Sequence, residues 1–288
     1  METGFVSSEA HNAASSAPIF QLGRVQYAFP APLALLTVQS NIMTMCLYAY
    51  PTSPQVGHPT TSPKLVRIDL DDPECTEEAE VHIPPAPRNR GGGPPQTFDP
   101  SMVGPHRMYA DPSGRHLILS MKTGENFYWT SGWKRARLLP KLKGLVIESI
   151  AWNRIAGDTP GRTQVNGAGG SVRGPGSGGT VTTHEILLGT RNGEIWETVI
   201  TAPSGGDGED GDFLDRLARR TAGAVKNSAD VDKVLRHVYT LAERQAITGL
   251  RSEPFPSSAS APNRMVVIAT TSTRIYEFVG SIAPSPSK

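Results

Sequence analysis

The sequence predicts an all-β chain: a partial β-propeller of about four WD40-like blades, each a four-stranded antiparallel sheet, with disordered Gly/Pro-rich insertions and one short helix. Three observations carry this. A short apolar run, a polar turn and a second apolar or aromatic run recur four times in 288 residues. Three of these hairpins have neighbouring runs that read as further strands, and repeated groups of four antiparallel strands are the pattern of propeller blades. The 29 glycines and 25 prolines exceed average usage of about 7% and about 5%, as suits a chain rich in turns.

The first hairpin is Leu33–Val38, a turn, and Ile42–Tyr48. The second is His116–Met121, a turn at Lys122–Glu125, and Asn126–Trp129. The third is Glu185–Thr190, the turn Arg191–Asn192–Gly193, and Glu194–Ile200; the fourth is Met265–Thr270, Thr271–Thr273, and Arg274–Val279. In each, the first run is continuous and aliphatic, suiting a strand buried on both faces. The second alternates and carries aromatics, suiting a more outward strand. Asn192–Gly193 is a hairpin-turn dipeptide because both residues tolerate positive φ.

Outer companions flank three of the hairpins. Arg107–Ala110 precedes the second, ending in the tight turn Asp111–Pro112–Ser113–Gly114, and Arg135–Leu139 follows it. Val146–Trp152 precedes the third and Arg236–Leu241 follows; Ala246–Leu250 precedes the fourth. Leu36, Ile118, Leu187 and Val267, taken as equivalent, are 82, 69 and 80 residues apart, wider than bare blades of about 40–50 residues. The excess falls in insertions at 71–105, 157–182 and 202–230, whose composition cannot bury enough apolar surface to offset ordering. Phe213–Ala224, inside the last of these, reads as a short helix with Phe213, Leu214 and Leu217 on one face.

Residues 1–17 then read as a disordered tail, 18–280 as the propeller portion and 281–288 as a second tail. The fourth unit lacks an outer strand before Ala283–Lys288. Rings close with four to eight blades, so the sequence reads as an N-terminal piece of something longer, with open strand edges that invite association.

Charge and composition remove several functional classes. Lys and Arg total 28 against 27 Asp and Glu, for a formal net charge of +1, whereas dedicated nucleic-acid binders are strongly basic. Two cysteines, Cys46 and Cys75, are too few for a secreted disulfide framework. Cys46 sits in an apolar run and reads as a small buried hydrophobe, favouring a reducing, intracellular compartment. Met1–Ser16 lacks the basic and apolar regions of a signal peptide. Leu33–Tyr50 is interrupted by Gln39, Ser40 and Asn41, too soon for a span of about 20 apolar residues. Membrane association is therefore expected to be peripheral.

No residue is nominated as catalytic, cofactor-binding or metal-binding. Gly174–Gly179 formally contains G-x-G-x-x-G, but Pro175 sits inside it and a strand follows where a dinucleotide site needs a helix. Asp69, Asp71 and Asp72 lack the Gly and bidentate Glu of a calcium loop and read as a solvated strand end. The 7 histidines show no paired spacing for zinc, and there is no G-x-S-x-G elbow. The basic stretch Lys134–Arg135–Ala136–Arg137, with Lys141, Lys143 and the neighbouring Trp129 and Trp133, reads first as an edge strand guarded by its charges. Contact with anionic lipid or RNA is the functional alternative.

Arg107–Ser120, Lys143–Asn153, Ile186–Glu197 and Val267–Gly280 follow one another in an order that resembles the N-terminal region of the deep orange family. The Trp152–Asn153 pair and the closing Phe278–Val279–Gly280 are the most specific matches, and the likeness spans about residues 18–280. That family supplies the class C vacuolar protein sorting subunit of the HOPS and CORVET tethering complexes. The resemblance implies an N-terminal propeller followed by an α-solenoid and a RING-type zinc domain, neither of which is in this sequence. It also implies a non-enzymatic scaffold for vesicle docking and fusion, on the cytoplasmic face of late endosome and vacuolar or lysosomal membrane and in the cytosol. Implied partners are the other class C subunits and, indirectly, SNAREs and Rab GTPases. No nucleic acid and no small-molecule substrate are expected. The rivals are a propeller scaffold of another coat-type or nuclear-pore-type complex, and an enzyme on a propeller platform. The latter predicts convergent polar residues at the axis, whereas the runs read as inner are aliphatic.

Overall fold

A computed structural model describes residues 4–6, 24–26, 28–49, 62–83, 103–152, 180–203, 234–254 and 264–281. Strands β1 (Gly4–Val6) and β2 (Arg24–Gln26) pair antiparallel, apart from the other sheets; β1 lies within the span read as a tail. The first blade is β3 (Leu33–Gln39), β4 (Ile42–Leu47), β5 (Lys64–Asp69) and β6 (Thr76–Val81). The second is β7 (Pro105–Ala110), β8 (His116–Met121), β9 (Asn126–Thr130) and β10 (Arg135–Leu138), followed by a 3-10 turn at Pro140–Leu142. The third is β11 (Ile147–Trp152), β12 (Thr180–Thr190), β13 (Glu194–Pro203) and β14 (Val234–Thr240). The fourth has three described strands, β15 (Gly249–Pro254), β16 (Arg264–Thr270) and β17 (Ile275–Ser281).

Within each blade the strands form an antiparallel meander in chain order. The first strands, β3, β7, β11 and β15, lie side by side around a common axis. This is propeller architecture, with the blades stacked face to face. At their outer edges the first two blades also join, because β6 and β10 run parallel through Arg135–Glu80 and Ala136–Val81. They thus form one eight-stranded sheet.

Three expectations need correction. Leu33–Val38 is an innermost strand, whereas the first runs of the other three hairpins are second strands, so Leu36 is not the counterpart of Ile118, Leu187 and Val267. Leu36 and Val38 are 52% and 45% exposed, not buried on both faces. Conversely, Asn126–Trp129, read as outward, lies in a strand, Asn126–Thr130, that is buried along its whole length. The insertion at 71–105 contains β6, whose Ala79 and Val81 face the core while Glu78 and Glu80 face solvent. The structure likewise carries β12 from Thr180 and β13 to Pro203, into the margins of the other two insertions. The 213–224 helix and the 174–179 glycine run lie outside the described residues.

The main core joins the first three blades. Cys46, Leu65, Ala79 and Val81 of the first blade meet Leu117, Leu119, Phe127 and Trp129 of the second, and the cluster continues to Ile147, Ile186 and Leu188 of the third. Fully burying one such large apolar side chain stabilises by roughly 1.5–3 kcal/mol. Buried aromatics need a partner for their polar ends: Trp129 Nε1 donates to Trp133 O at 2.8 Å, and Tyr128 Oη lies 2.6 Å from His116 Nδ1. Burial pushes the Tyr128 phenol above its usual range. Cys46 is fully buried, and desolvation pushes its thiol up to about 12. A smaller cluster, Ile195, Leu241, Ile247 and Ala269, seals the third blade to the fourth.

The β12–β13 turn differs from a two-residue Asn-Gly hairpin. It is a three-residue loop in which Gly193 alone takes positive φ, +75°. That matches a type I turn closed by a left-handed residue. A Cβ on Gly193 would also sit 2.8 Å from Arg244 Cα, so glycine is required on two counts.

Candidate interaction surfaces

The residues that position the surfaces are those that lock one blade to the next. At the first seam, Arg67 of β5 is 4% exposed. Its Nη1 donates to Glu77 Oε2 at 3.0 Å and Ser131 Oγ at 2.9 Å, and its Nη2 donates to Arg115 O at 2.9 Å. Its guanidinium carbon stands 4.1 Å from the Trp129 ring centre. Glu77 also accepts from the Gly132 amide at 3.2 Å. One planar, multidentate cation therefore ties the first blade to the β8–β9 side of the second, as guanidinium geometry allows.

At the second seam Glu148 of β11 is the hub. Its carboxylate accepts from Arg107 Nε at 3.1 Å and Arg191 Nε at 3.0 Å, and His106 Nε2 lies 3.0 Å away. Burial alone would raise the Glu148 pKa, but hydrogen bonds from Arg191 and His106 outweigh it and hold the group below its ordinary value. Burial lowers the His106 pKa, offset in part by its bond to Glu148. Tyr109 Oη donates to Ile147 O at 2.9 Å alongside. At the third seam Ser149 Oγ donates to Ile247 O at 2.5 Å. A Cβ on Gly189 would stand 2.5 Å from Ser149 Oγ and 2.7 Å from Ile247 Cγ2, so only glycine allows this approach.

The inner strands therefore carry His106, Arg107, Glu148, Ser149 and Arg251, contrary to the aliphatic character expected at the axis. The ends of the four inner strands converge on a cavity of about 180 Å³ that includes Gln39, Pro112, Trp152, Arg251 and Ser252. Ligand pockets for small molecules typically run to about 300–1,000 Å³, so this mouth is small. Arg251 is already paired with Glu253 at 2.7 Å. No group of three or more potential metal ligands occurs among the described residues. Asp69 and Asp71 are held instead by Asn41 Nδ2, at 2.9 Å each.

Two broad apolar faces bound the arc of blades. On the first blade, Leu36 and Val38 share a face with Met43, Met45 and Val66, partly covered by Phe29 and Ala31. On the fourth, cross-strand pairing puts Ile268, Ile275 and Val279 on one face, exposed by 41%, 77% and 48%. The opposite face, with Tyr276 and Phe278, packs on the third blade. Glu277 shares the fourth-blade face, opposite Ile268, so its exposed apolar side chains flank one carboxylate; exposed apolar patches mark association sites. In the sequence β17 is apolar on both faces apart from Glu277, so its pattern does not tell which face is covered.

The basic stretch lies on β10 and the 3-10 turn. It is not a free edge as expected: β6 pairs with it at Arg135 and Ala136. Trp129 and Trp133 are both buried, and Arg137 lies over the Trp133 ring at 4.1 Å.

Stacked blades held by buried polar clamps, with apolar faces at both ends, define a β-propeller module. The chain belongs to the Pep3/Vps18/deep orange β-propeller domain family, whose model matches residues 18–288. It is 26% identical over 271 residues to a vacuolar protein sorting-associated protein 18 homolog of Danio rerio, an alignment covering 92% of this chain and 20% of that protein. It is 28% identical over 180 residues to vacuolar sorting protein 18 of Arabidopsis thaliana, covering 61% of this chain and 13% of the relative. Against vacuolar membrane protein pep3 of Schizosaccharomyces pombe it is 25% identical over 186 residues, covering 65% and 15%. The chain thus spans a fifth or less of the length of these relatives.

Proposed function

We propose that this chain is the propeller part of a non-enzymatic tethering subunit, a member of the class C core shared by the HOPS and CORVET complexes. In this reading it supports vesicle docking and fusion at the late endosome and the vacuole or lysosome, from the cytoplasmic side. The family match over residues 18–288 carries the reading, and the relatives' names, with their vacuolar sorting and vacuolar membrane terms, support the location. Its mechanism is geometric: blades fixed by Arg67, Glu148 and Ser149 present apolar faces and loops in constant orientation to neighbouring subunits. SNAREs and Rab GTPases are reached indirectly, through those subunits. The test is co-purification of the tagged protein with the other class C subunits. Recovery of the intact protein without any of them sinks the reading.

A further inference from the structure

We infer that the outer rim of the second blade is a docking surface for an anionic phospholipid bilayer, formed by Lys134, Arg135, Arg137, Lys141 and Lys143. No Asp or Glu occurs between Glu125 and Glu148, so these five cations form an uninterrupted basic segment. The structure shows that they are mounted rigidly. Buried Trp133, Ala136, Leu139 and Leu142 alternate with them through the segment, and Lys134, Arg135, Lys141 and Lys143 are left exposed between these anchors. Pairing of β10 with β9 on one side and β6 on the other fixes the strand that carries the first of them. Of the nearby acids, Glu80 stands opposite Arg135 in the β6–β10 register and Glu78 is paired with Lys64 at 2.6 Å.

The same geometry selects the partner. Single-stranded nucleic acid is held by exposed aromatic platforms as well as charge, but Phe127, Tyr128, Trp129 and Trp133 are all buried here. A ridge of cations without stacking groups or a defined pocket fits a surface of many equivalent negative charges. Clustered Lys and Arg beside an anionic leaflet act additively, and the attraction fades within a Debye length. Binding of this kind is weak and reversible, suited to orienting a complex that partners hold in place. The inference extends the tethering reading, but its test needs none of the other subunits, so either can fail alone.

The experiment is co-sedimentation of the full chain with phosphatidylcholine vesicles, with and without phosphatidylserine. Binding is expected only with phosphatidylserine, and it should disappear as salt rises from about 0.1 M to about 1 M. The variant Lys134→Gln, Arg135→Gln, Lys141→Gln and Lys143→Gln should lower vesicle binding by roughly tenfold or more. A control carrying Arg236→Gln, Arg244→Gln, Arg251→Gln and Arg274→Gln, with the same net charge, should bind like the parent chain. Lys141→Gln with Lys143→Gln alone should give an intermediate loss, which guards against misfolding of the fourfold variant. Equal binding to neutral vesicles, equal losses in the ridge and control variants, or binding of single-stranded RNA without vesicle binding would each overturn the proposal.

Discussion

The guanidinium of Arg67 lies over the indole of Trp129, its central carbon 4.1 Å from the ring centre, across the boundary between two blades. The contact joins a buried cation to the largest fully buried side chain of the core. Arg67 Nε has no hydrogen-bond partner, and burial lowers the pKa of the side chain. The seam thus holds a costly charge that its other nitrogens and the ring must offset.

Arg67→Ala is expected to destabilise the chain by about 3 kcal/mol, from lost charge-assisted hydrogen bonds and the ring contact. Arg67→Lys should recover only part of this, because an ammonium cannot reach Glu77, Ser131 and the Arg115 carbonyl together. Urea midpoints of the two variants against the parent chain measure both effects.

Acid should loosen the second seam in two stages. Burial holds the folded pKa of His106 below its ordinary value of 6.5, so the unfolded chain takes up its proton first and stability falls as pH drops through about 6.5 and below. Glu148 is also held below its ordinary value; its contribution is full above about 4.5 and is lost as pH falls through its lower folded value. His106→Gln should flatten the upper stage and leave the lower one, as read from thermal midpoints across pH 4–8.

Gly189→Ala should cost about 1–3 kcal/mol, since the new methyl group would overlap Ser149 Oγ and Ile247 Cγ2. Hydrogen exchange is expected to show the largest loss of protection at the third–fourth blade boundary, on β12 and β15.

Ile275→Lys with Val279→Lys should leave the melting temperature nearly unchanged, within about 0.5 kcal/mol of stability, because both side chains lie on the uncovered face. Self-association should fall. Light scattering against concentration, parent beside variant, tests this.

Only one thiol should react with Ellman's reagent in the folded chain. Cys75 is exposed, whereas Cys46 is buried with its pKa pushed up to about 12 and should react only after denaturation.

The second and third blades were legible because their strands are apolar enough to stand out, as in His116–Met121 and Glu185–Thr190. The first blade was misaligned for a physical reason. Leu33–Val38 is apolar although it lies innermost with one face open, and Thr76–Val81 hides its two core residues among three glutamates. Asn126–Trp129 reads as amphipathic, but its polar end is taken inside: Asn126 Nδ2 donates to Gly124 O, Leu142 O and Leu145 O, while its buried Oδ1 has no hydrogen-bond partner. The clamps left no trace in local pattern. Glu148 and Arg107 are 41 positions apart and Arg67 and Ser131 are 64 apart, so nothing short of the folded chain brings them together. The basic run was visible as charge, yet only the alternating buried anchors show that it forms a fixed ridge.

Parallel pairing of β6 with β10 has a mechanical consequence. The first two blades share backbone hydrogen bonds at the rim as well as side-chain packing, while the second and third meet through side chains such as Glu148 and Arg107 and the Tyr109–Ile147 bond. Pulled from its ends, the chain should part between the second and third blades before the first and second separate. The leading pair should then yield as a single block, giving one large rupture step in a single-molecule stretching trace where two equal small ones would mark independent blades.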